Sequence, residues 1–163
     1  MRLMADDIFI RIDGIQGESQ DPIHPGEIQV SSWNWSVHQD AAYLSGSGGG
    51  APKAKVGDLT FIHAIDRATP NLASYCFHGR RVRQATLTLR KAGGVPFEYF
   101  RMVMSDVVIT HVGPASGGNM AIETVSLSFS SIKQEYFPQS TTGGAMGAVT
   151  GMIDLRQFRQ CEC

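Results

Sequence analysis

Short runs in which apolar and polar residues alternate recur along this chain, and they constrain its fold more than any other feature. The runs 8–13, 85–89 and 124–130 place an apolar side chain at every second position. This period is typical of a β-strand with one buried face, because successive side chains point to opposite sides of a sheet. Further strands are predicted at 58–64, 82–90, 97–112 and 121–138, separated by glycine-rich turns at 93–94 and 113–118.

The run from Glu27 to Gln39 changes phase partway along. Ile28 and Val30 are at even positions, whereas Trp33 and Trp35 are at odd ones. One strand face cannot carry both sets, so a bulge or bend is predicted near residues 31–32. Both tryptophans are expected in the core.

One segment has helical spacing instead. Pro70 suits the first turn of a helix, which has no amide hydrogen bond to lose, and Gly79 suits its end. A single helix of about three turns is predicted here, and its apolar stripe should close an open side of the β-structure. Leu72 and Cys76 are expected core residues. The apolar residues of this stripe are Ala68, Leu72, Tyr75 and Cys76.

Length and composition predict one domain over residues 1–163. With 163 residues and 42% apolar content, the chain is long enough to bury a sizeable core. The expected fold is mainly β: a barrel or sandwich of two packed sheets, with one short α-helix and a long extended loop. Fourteen basic and fifteen acidic residues give a net charge of −1, which argues against nucleic-acid binding and a polybasic membrane surface.

Two segments carry little strand or helix signal. The stretch 40–57 is rich in Gly, Ser and Ala, and it is predicted to be a flexible loop, which at this length indicates either disorder or function. The tail from 140 to 163 is the other segment, and residues 149–158 could add a final edge strand.

The sequence offers no constellation that would carry chemistry. The five histidines lack metal-site spacing, and surface or partly satisfied histidines are the simpler interpretation. The run 45–50 contains Gly-x-Ser-x-Gly but lacks the Lys and the helix of a phosphate loop, and the strand and helix of a nucleophile elbow. The terminal pair Cys161 and Cys163 is a poor metal site. No catalytic, cofactor-binding or metal-binding residue is predicted, and no enzyme activity is expected.

Several ordered blocks of the sequence, from about residue 4 to 139, resemble the haemolysin-coregulated protein (Hcp) family. The resemblance thins after residue 143, where the family usually carries a Gly-Trp-Asp-like signature and this chain reads Gly-Met-Ile-Asp-Leu at 151–155. Members of that family are similar to phage tail-tube proteins and stack as hexameric rings into the inner tube of the type VI secretion machine. The matching blocks are Asp7–Ser19, Trp33–Trp35, Gly48–Gly50, Asp58–Phe61, Asp66–Leu72, Leu87–Gly94 and Tyr136–Gln139.

The resemblance implies a structural role. It places a loop like 40–57 at contacts with a neighbouring subunit or the next ring, here through Ser45, Gly46, Ser47, Gly48, Gly49, Gly50 and Lys53. It also suggests that the small polar ribbon formed by Ser32, Asn34 and Ser36 lines the lumen.

Partners and location also follow from the resemblance. The expected partners are further copies of the chain in stacked homohexamers, the sheath, baseplate and spike proteins of the secretion machine, and small effector proteins in the lumen. Without a signal-like N-terminus or a run of about 18 apolar residues, the chain is expected to fold in the bacterial cytoplasm and leave by type VI secretion, without membrane insertion. The alternative is a small monomeric β-barrel that binds an apolar ligand.

Overall fold

The computed structural model describes residues 6–39, 54–92, 95–139 and 147–158. The fold is mainly β, as predicted, and the predicted short helix is present with ten residues. The strands are β1 (Asp6–Ile12), β2 (Ile28–Gln29), β3 (Ser32–Asn34), β4 (Val37–His38), β5 (Lys55–Val56), β6 (Leu59–Ala64), β7 (Arg81–Lys91), β8 (Phe97–Gly117), β9 (Met120–Tyr136) and β10 (Val149–Asp154), and the helices are α1 (Thr69–His78) and α2 (Leu155–Phe158).

Eight of the strands form one curled antiparallel sheet. Its order is β2-β1-β7-β8-β9-β6-β3, and β10 pairs with β9 beside this path. Strands β4 and β5 form a separate two-stranded ladder. The strand predicted for the tail is present as β10, although residues 155–158 turn into the short helix α2 rather than continuing it.

The phase change near residues 31–32 is the point where the sheet curls back on itself. The Val30 amide donates to the Ile8 carbonyl in β1 at 2.9 Å, and the next amide, of Ser31, donates to the Ile62 carbonyl in β6 at 2.7 Å. Adjacent residues therefore bond to the two opposite ends of the sheet path. The predicted bend is confirmed, and it joins β2 to β3.

The three longest strands all change their buried set along one line across the sheet. The row Ala85, Met104 and Ile132 faces the core on one side of this line, and the row Val82, Val107 and Phe129 faces it on the other. Between the rows, Asp106 has a φ of 54°, unusual for a residue with a side chain. Each strand therefore has two core-facing residues three positions apart, which breaks the alternation of inward and outward side chains. In β8 the left-handed backbone at Asp106 lies at this break.

The Asp106 side chain bonds to both neighbouring strands at this line. Its carboxylate accepts hydrogen bonds from the Ser130 hydroxyl at 2.6 Å and from the Arg81 guanidinium at 3.1 and 3.2 Å. The Ser130 hydroxyl and the nearby guanidinium groups hold the pKa of Asp106 below its usual range. These bonds compensate for the strained backbone.

The helix α1 begins and ends where its sequence predicts. Pro70 lies in the first turn, and Gly79 ends the helix with a left-handed φ of 59°. Leu72 is fully buried, and it packs into a core filled by large side chains from most strands. The largest of these fully buried side chains are Phe61, Ile10, Ile12, Ile28, Leu59, Leu72, Leu87, Met102, Met104, Ile109, Leu127 and Ile132.

The turn predicted at 113–118 is wrong. Strand β8 continues to Gly117, and its pairing with β9 runs to the Gly117–Met120 pair. The reversal is confined to Gly118 and Asn119, with Gly118 at a φ of 61°. The glycine-rich composition of 113–118 is typical of a loop, but residues 113–117 are paired in β8. Only the two-residue hairpin turn at 118–119 uses left-handed backbone, at Gly118.

Candidate functional surfaces

A ribbon of small polar side chains crosses the outer face of the sheet, the face directed away from the core. Asn34 in β3 is paired with Thr60 in β6, which is paired with Ser126 in β9. Directly paired residues share a face of the sheet, so the three side chains form one row. The Thr60 and Ser126 hydroxyls are 2.9 Å apart and hydrogen bonded. We call this row, with the exposed Ser32 and Ser36, the polar ribbon.

One carboxylate, that of Asp58, is hydrogen bonded beside the polar ribbon. The Thr110 hydroxyl donates to the Asp58 carboxylate at 2.6 Å and lies 3.2 Å from the Ser126 carbonyl. Ser36 lies beyond the end of β3, and its carbonyl accepts the Gly57 amide at 2.9 Å. The polar ribbon therefore presents hydroxyl and amide groups, which form weak and exchangeable hydrogen bonds with water or with a neighbouring molecule.

Strand β10 provides an edge without a partner among the described residues. It pairs with β9 on one side from Val149 to Asp154. Val149 and Met152 are 66% and 64% exposed, and the paired Tyr136 is 47% exposed. Natural edge strands are usually protected by Lys, Pro or a bulge, and the sequence Val-Thr-Gly-Met-Ile-Asp contains neither Lys nor Pro. Its free amide and carbonyl groups and its exposed apolar side chains suit a further strand.

At the other end of the sheet, the outer face is covered by residues 16–27, which we call the strap. Within the strap, the Gly17 amide donates to the Gly26 carbonyl at 2.8 Å, and the Ser19 and Gly26 groups close a short ladder. A side chain at Gly17 would lie 2.6 Å from the Glu27 carbonyl oxygen, so only glycine fits there.

His24 fastens the strap to the sheet. Its Nδ1 lies 2.5 Å from Glu27 Oε2, its Nε2 lies 2.5 Å from Glu98 Oε1, and its ring stacks on Phe9 with centroids 4.6 Å apart. Phe9 points to the outer face, yet it is only 2% exposed. The strap therefore buries an aromatic ring that would otherwise be in water.

Arg90 makes a second fastening beside the first. Its guanidinium donates to Asp21 at 3.0 and 2.5 Å and to Asp7 at 3.1 Å, and it lies 5.0 Å from the centroid of the Phe9 ring. The Arg90 guanidinium, assisted by the amides of Ile23 and His24, holds the pKa of the Asp21 carboxyl well below its usual range.

A further histidine, His63, is fully buried and only partly satisfied, because its Nδ1 has no hydrogen-bond partner among the described residues. His63 Nε2 lies 2.9 Å from Glu123 Oε1, and both residues are inaccessible to solvent. Asp66 is 3.8 Å from Nδ1 of the same ring. Neither this pair nor the one at His24 has a sequence signal, because the partners are separated by 60 and 74 positions. His38, His78 and His111 are exposed.

The expected core residues divide into two groups. Leu72 lies at the centre, whereas Trp33, Trp35 and Cys76 are partly buried and pack against the margin of the core. The expectation of buried indoles is therefore corrected: β3 ends at Asn34, and the Trp35 ring lies where its N–H donates to the Gly57 carbonyl at 2.9 Å.

The remaining predicted contact residues and the terminal cysteines lie outside the described residues. The contact residues are Ser45, Gly46, Ser47, Gly48, Gly49, Gly50 and Lys53, and the cysteines are Cys161 and Cys163. On either side of the segment 40–53, β4 and β5 pair through Val37–Val56 and His38–Lys55.

Within the described ranges, no group of three or more His, Cys, Asp or Glu side chains has an arrangement that could hold a metal ion. Over the same ranges, no helix is both long enough and apolar enough to cross a membrane.

The curled sheet with its short helix α1 is similar to solved structures of type VI secretion proteins. Hcp1 from Salmonella typhimurium is 42% identical, with a TM-score of 0.78 and coverage of 94% of this chain and 97% of that one. A type VI secretion system effector from Yersinia pestis is 38% identical, with a TM-score of 0.76 and coverage of 91% and 99%.

The sequence comparisons agree with the structural ones. The family model for "Type VI secretion system effector, Hcp" matches residues 9–136. The protein hcp1 of Pseudomonas aeruginosa PAO1 is 40% identical over 147 residues, which are 88% of this chain and 91% of that protein. The chain belongs to the Hcp family of type VI secretion proteins.

Proposed function

We propose that this chain is a structural subunit of the type VI inner tube, which assembles into stacked hexameric rings and has no enzymatic activity. The observation that carries the proposal is the unprotected edge of β10 together with its exposed apolar side chains, Val149 and Met152. A strand edge of this kind is stabilised when a second copy pairs with it, and closed cyclic symmetry leaves no copy with a free edge.

In this proposal, the polar ribbon faces the channel. Its hydroxyl and amide groups hold no fixed charge along Asn34, Thr60 and Ser126, so the wall would neither attract nor repel most cargo strongly. Small effector proteins would occupy the lumen and leave with the tube. The sheath would surround the tube, and the baseplate and spike would contact its end.

The segment 40–57 is proposed to contact a neighbouring subunit or the next ring. Because the flanking strands β4 and β5 are paired, removal of Ser45–Ala51 would shorten a connection between two strands that are already adjacent. The deletion should leave the fold intact and weaken ring stacking or subunit contacts, as measured by electron microscopy of negatively stained rings. Unchanged assembly would contradict this role.

Native mass spectrometry tests the ring itself. The wild-type protein should have six times the mass of the 17.7 kDa chain, and a monomer at tens of micromolar would contradict the proposal. A double variant with Val149→Lys and Met152→Lys should remain folded by circular dichroism and lose the hexamer, because charge on an edge strand opposes pairing. The matched control is Phe77→Lys, since Phe77 is 85% exposed but lies on α1.

The alternative of a monomeric, ligand-binding barrel finds little support in the interior. The space in which an apolar ligand would lie is filled by side chains with at most 1% exposure, among them Phe61, Leu72 and Met104. The same mass measurement separates the two proposals, because a ligand-binding barrel would remain a monomer.

A further inference from the structure

The strap rests on a histidine whose two ring nitrogens both face carboxylates. We propose that the strap is a pH-sensitive cover over the outer face of β1 and β7, closed while His24 is an imidazolium and released when His24 loses a proton. This inference is independent of the proposed tube function, because every group involved belongs to one chain.

When both carboxylates are ionised, the two contacts are hydrogen bonds only if both nitrogens of His24 donate. An ionised carboxylate only accepts hydrogen bonds, and a neutral imidazole has one N–H and one bare nitrogen. Glu27 and Glu98 approach opposite nitrogens at 2.5 Å each. Without the second proton, a lone pair would face a carboxylate oxygen at that distance, and one of the two attachments would be lost.

Of the two attachments of His24, the one to Glu98 matters most, because it crosses to the sheet, beside the Asp21–Arg90 pair. Glu27 belongs to the strap, whereas Glu98 belongs to β8, 74 positions away. Gly17 and Gly26 flank the moving part, and Gly26 already has a φ of 71°. When the strap lifts, it uncovers Phe9 and Thr88, which are 2% and 3% exposed in the closed form.

Arg90 and Asp21, which also fasten the strap, keep their charge while the histidine changes. Histidine is the side chain type that changes charge between about pH 5 and 8. Arginine stays protonated throughout this range, and Arg90 keeps Asp21 ionised. The charged groups that surround the ring are Glu27 and Asp21 in the strap, Asp7 in β1, Arg90 in β7, and Glu98 with Arg101 at 3.7 Å in β8.

Hydrogen exchange measured by mass spectrometry between pH 5 and pH 9 tests the cover. After correction for intrinsic exchange rates, protection of the strap amides should fall about tenfold or more as the pH rises, the loss expected for one charge-assisted hydrogen bond. The amides of β8 and β9 should keep their protection, which shows that the strap opens without global unfolding. A strap whose protection is constant over this range would overturn the proposal.

Two variants separate protonation from simple packing. His24→Gln should leave the strap poorly protected at every pH, whereas the exposed control His38→Gln should behave as wild type. Glu98→Gln should keep the strap closed as the pH rises, because the amide can donate to a bare imidazole nitrogen.

The Glu98→Gln variant also keeps the proposal falsifiable if His24→Gln fails to fold. A wild-type pH profile in either variant would show that the charge on His24 does not control the strap.

Discussion

The outer face of one sheet is built in two different ways at its two ends. Over β1 and β7 it is covered by the strap, and Phe9, Thr88 and Arg90 are each less than 8% exposed there. Over β3, β6 and β9 it carries the polar ribbon, in which Asn34 is exposed and Thr60 and Ser126 are half-buried. The two ends belong to the same hydrogen-bonded sheet, and they differ in whether the strap packs on the outer face.

The chemistry of the two ends follows from this difference. A covered face can hold an aromatic ring and a guanidinium group, because the strap brings carboxylates and an imidazole to meet them. A sheet face without the strap must be hydrated favourably through its own side chains. In the polar ribbon, small hydroxyl and amide groups provide this hydration without long charged side chains. The covered end therefore stabilises the subunit, and the bare end is the surface available to a channel or a neighbour.

The largest expected difference between the two ends is in packing. Phe9→Ala should lower the free energy of unfolding by about 3 kcal/mol, because it empties a buried ring site beneath His24 and Arg90. Thr60→Ala, at an outward position of the polar ribbon, should cost less than about 1 kcal/mol, since it removes one hydroxyl bond to Ser126. Urea denaturation of both variants measures the contrast, and equal costs would show that the strap adds no core of its own.

A smaller effect is expected for the ion pairs of the covered end. Arg90→Met should cost about 2 kcal/mol, because it leaves Asp7 and Asp21 without their cation in a site where Arg90 is 8% exposed. The control is Arg81→Met, which removes a 75% exposed arginine from Asp106 and should cost about 0.5 kcal/mol. Thermal denaturation at neutral pH compares the two, and an Arg81 variant that is as destabilised as the Arg90 variant would contradict the comparison.

The acid dependence of stability should identify the same site. Because the folded pKa of Asp21 is depressed by Arg90, the carboxylate contributes stability above its unfolded pKa of about 3.9, and this contribution is lost as the pH falls toward the folded value. The stability difference between wild type and Arg90→Met should therefore shrink below about pH 4. A difference that stays constant from pH 6 to pH 2 would mean that Arg90 acts by packing alone.

Much of the sheet could be predicted from the sequence, because the signal is local. The alternation at 85–89 and 125–129 gives two strands and their buried faces, and Pro70 with Gly79 gives the helix limits. The strap could not be predicted, since its attachments to the sheet join residues 69 and 74 positions apart. The local sequence around a histidine or a carboxylate in a polar segment does not indicate which distant residue it will pair with.

For the two tryptophans, the sequence predicts deeper burial than the structure has. Their alternation with Ser32, Asn34 and Ser36 correctly indicated which face turns inward, and both rings do pack against the core. Periodicity reports the direction of a side chain and not its depth, because depth depends on how far the sheet extends beyond it. Here β3 is three residues long and lies at the end of the sheet path, so the rings remain partly exposed.

The smallest effect on stability, and the sharpest test of the bare end, is expected at Asn34. Asn34→Arg places a long cation in the middle of the polar ribbon, at an exposed position where it displaces no packed side chain. The variant should keep the melting temperature of wild type and, if the ring forms as proposed, its hexameric mass. Capture of a small effector protein that binds in the lumen should fall, because the added bulk narrows the channel and the added charge alters its potential.

The measurement is co-purification of such an effector with the variant ring, with Arg11→Gln as a surface control of the opposite charge change near the strap. Undiminished capture by Asn34→Arg would place the polar ribbon on the outer wall, and the bare end of the sheet would then be an ordinary solvated face.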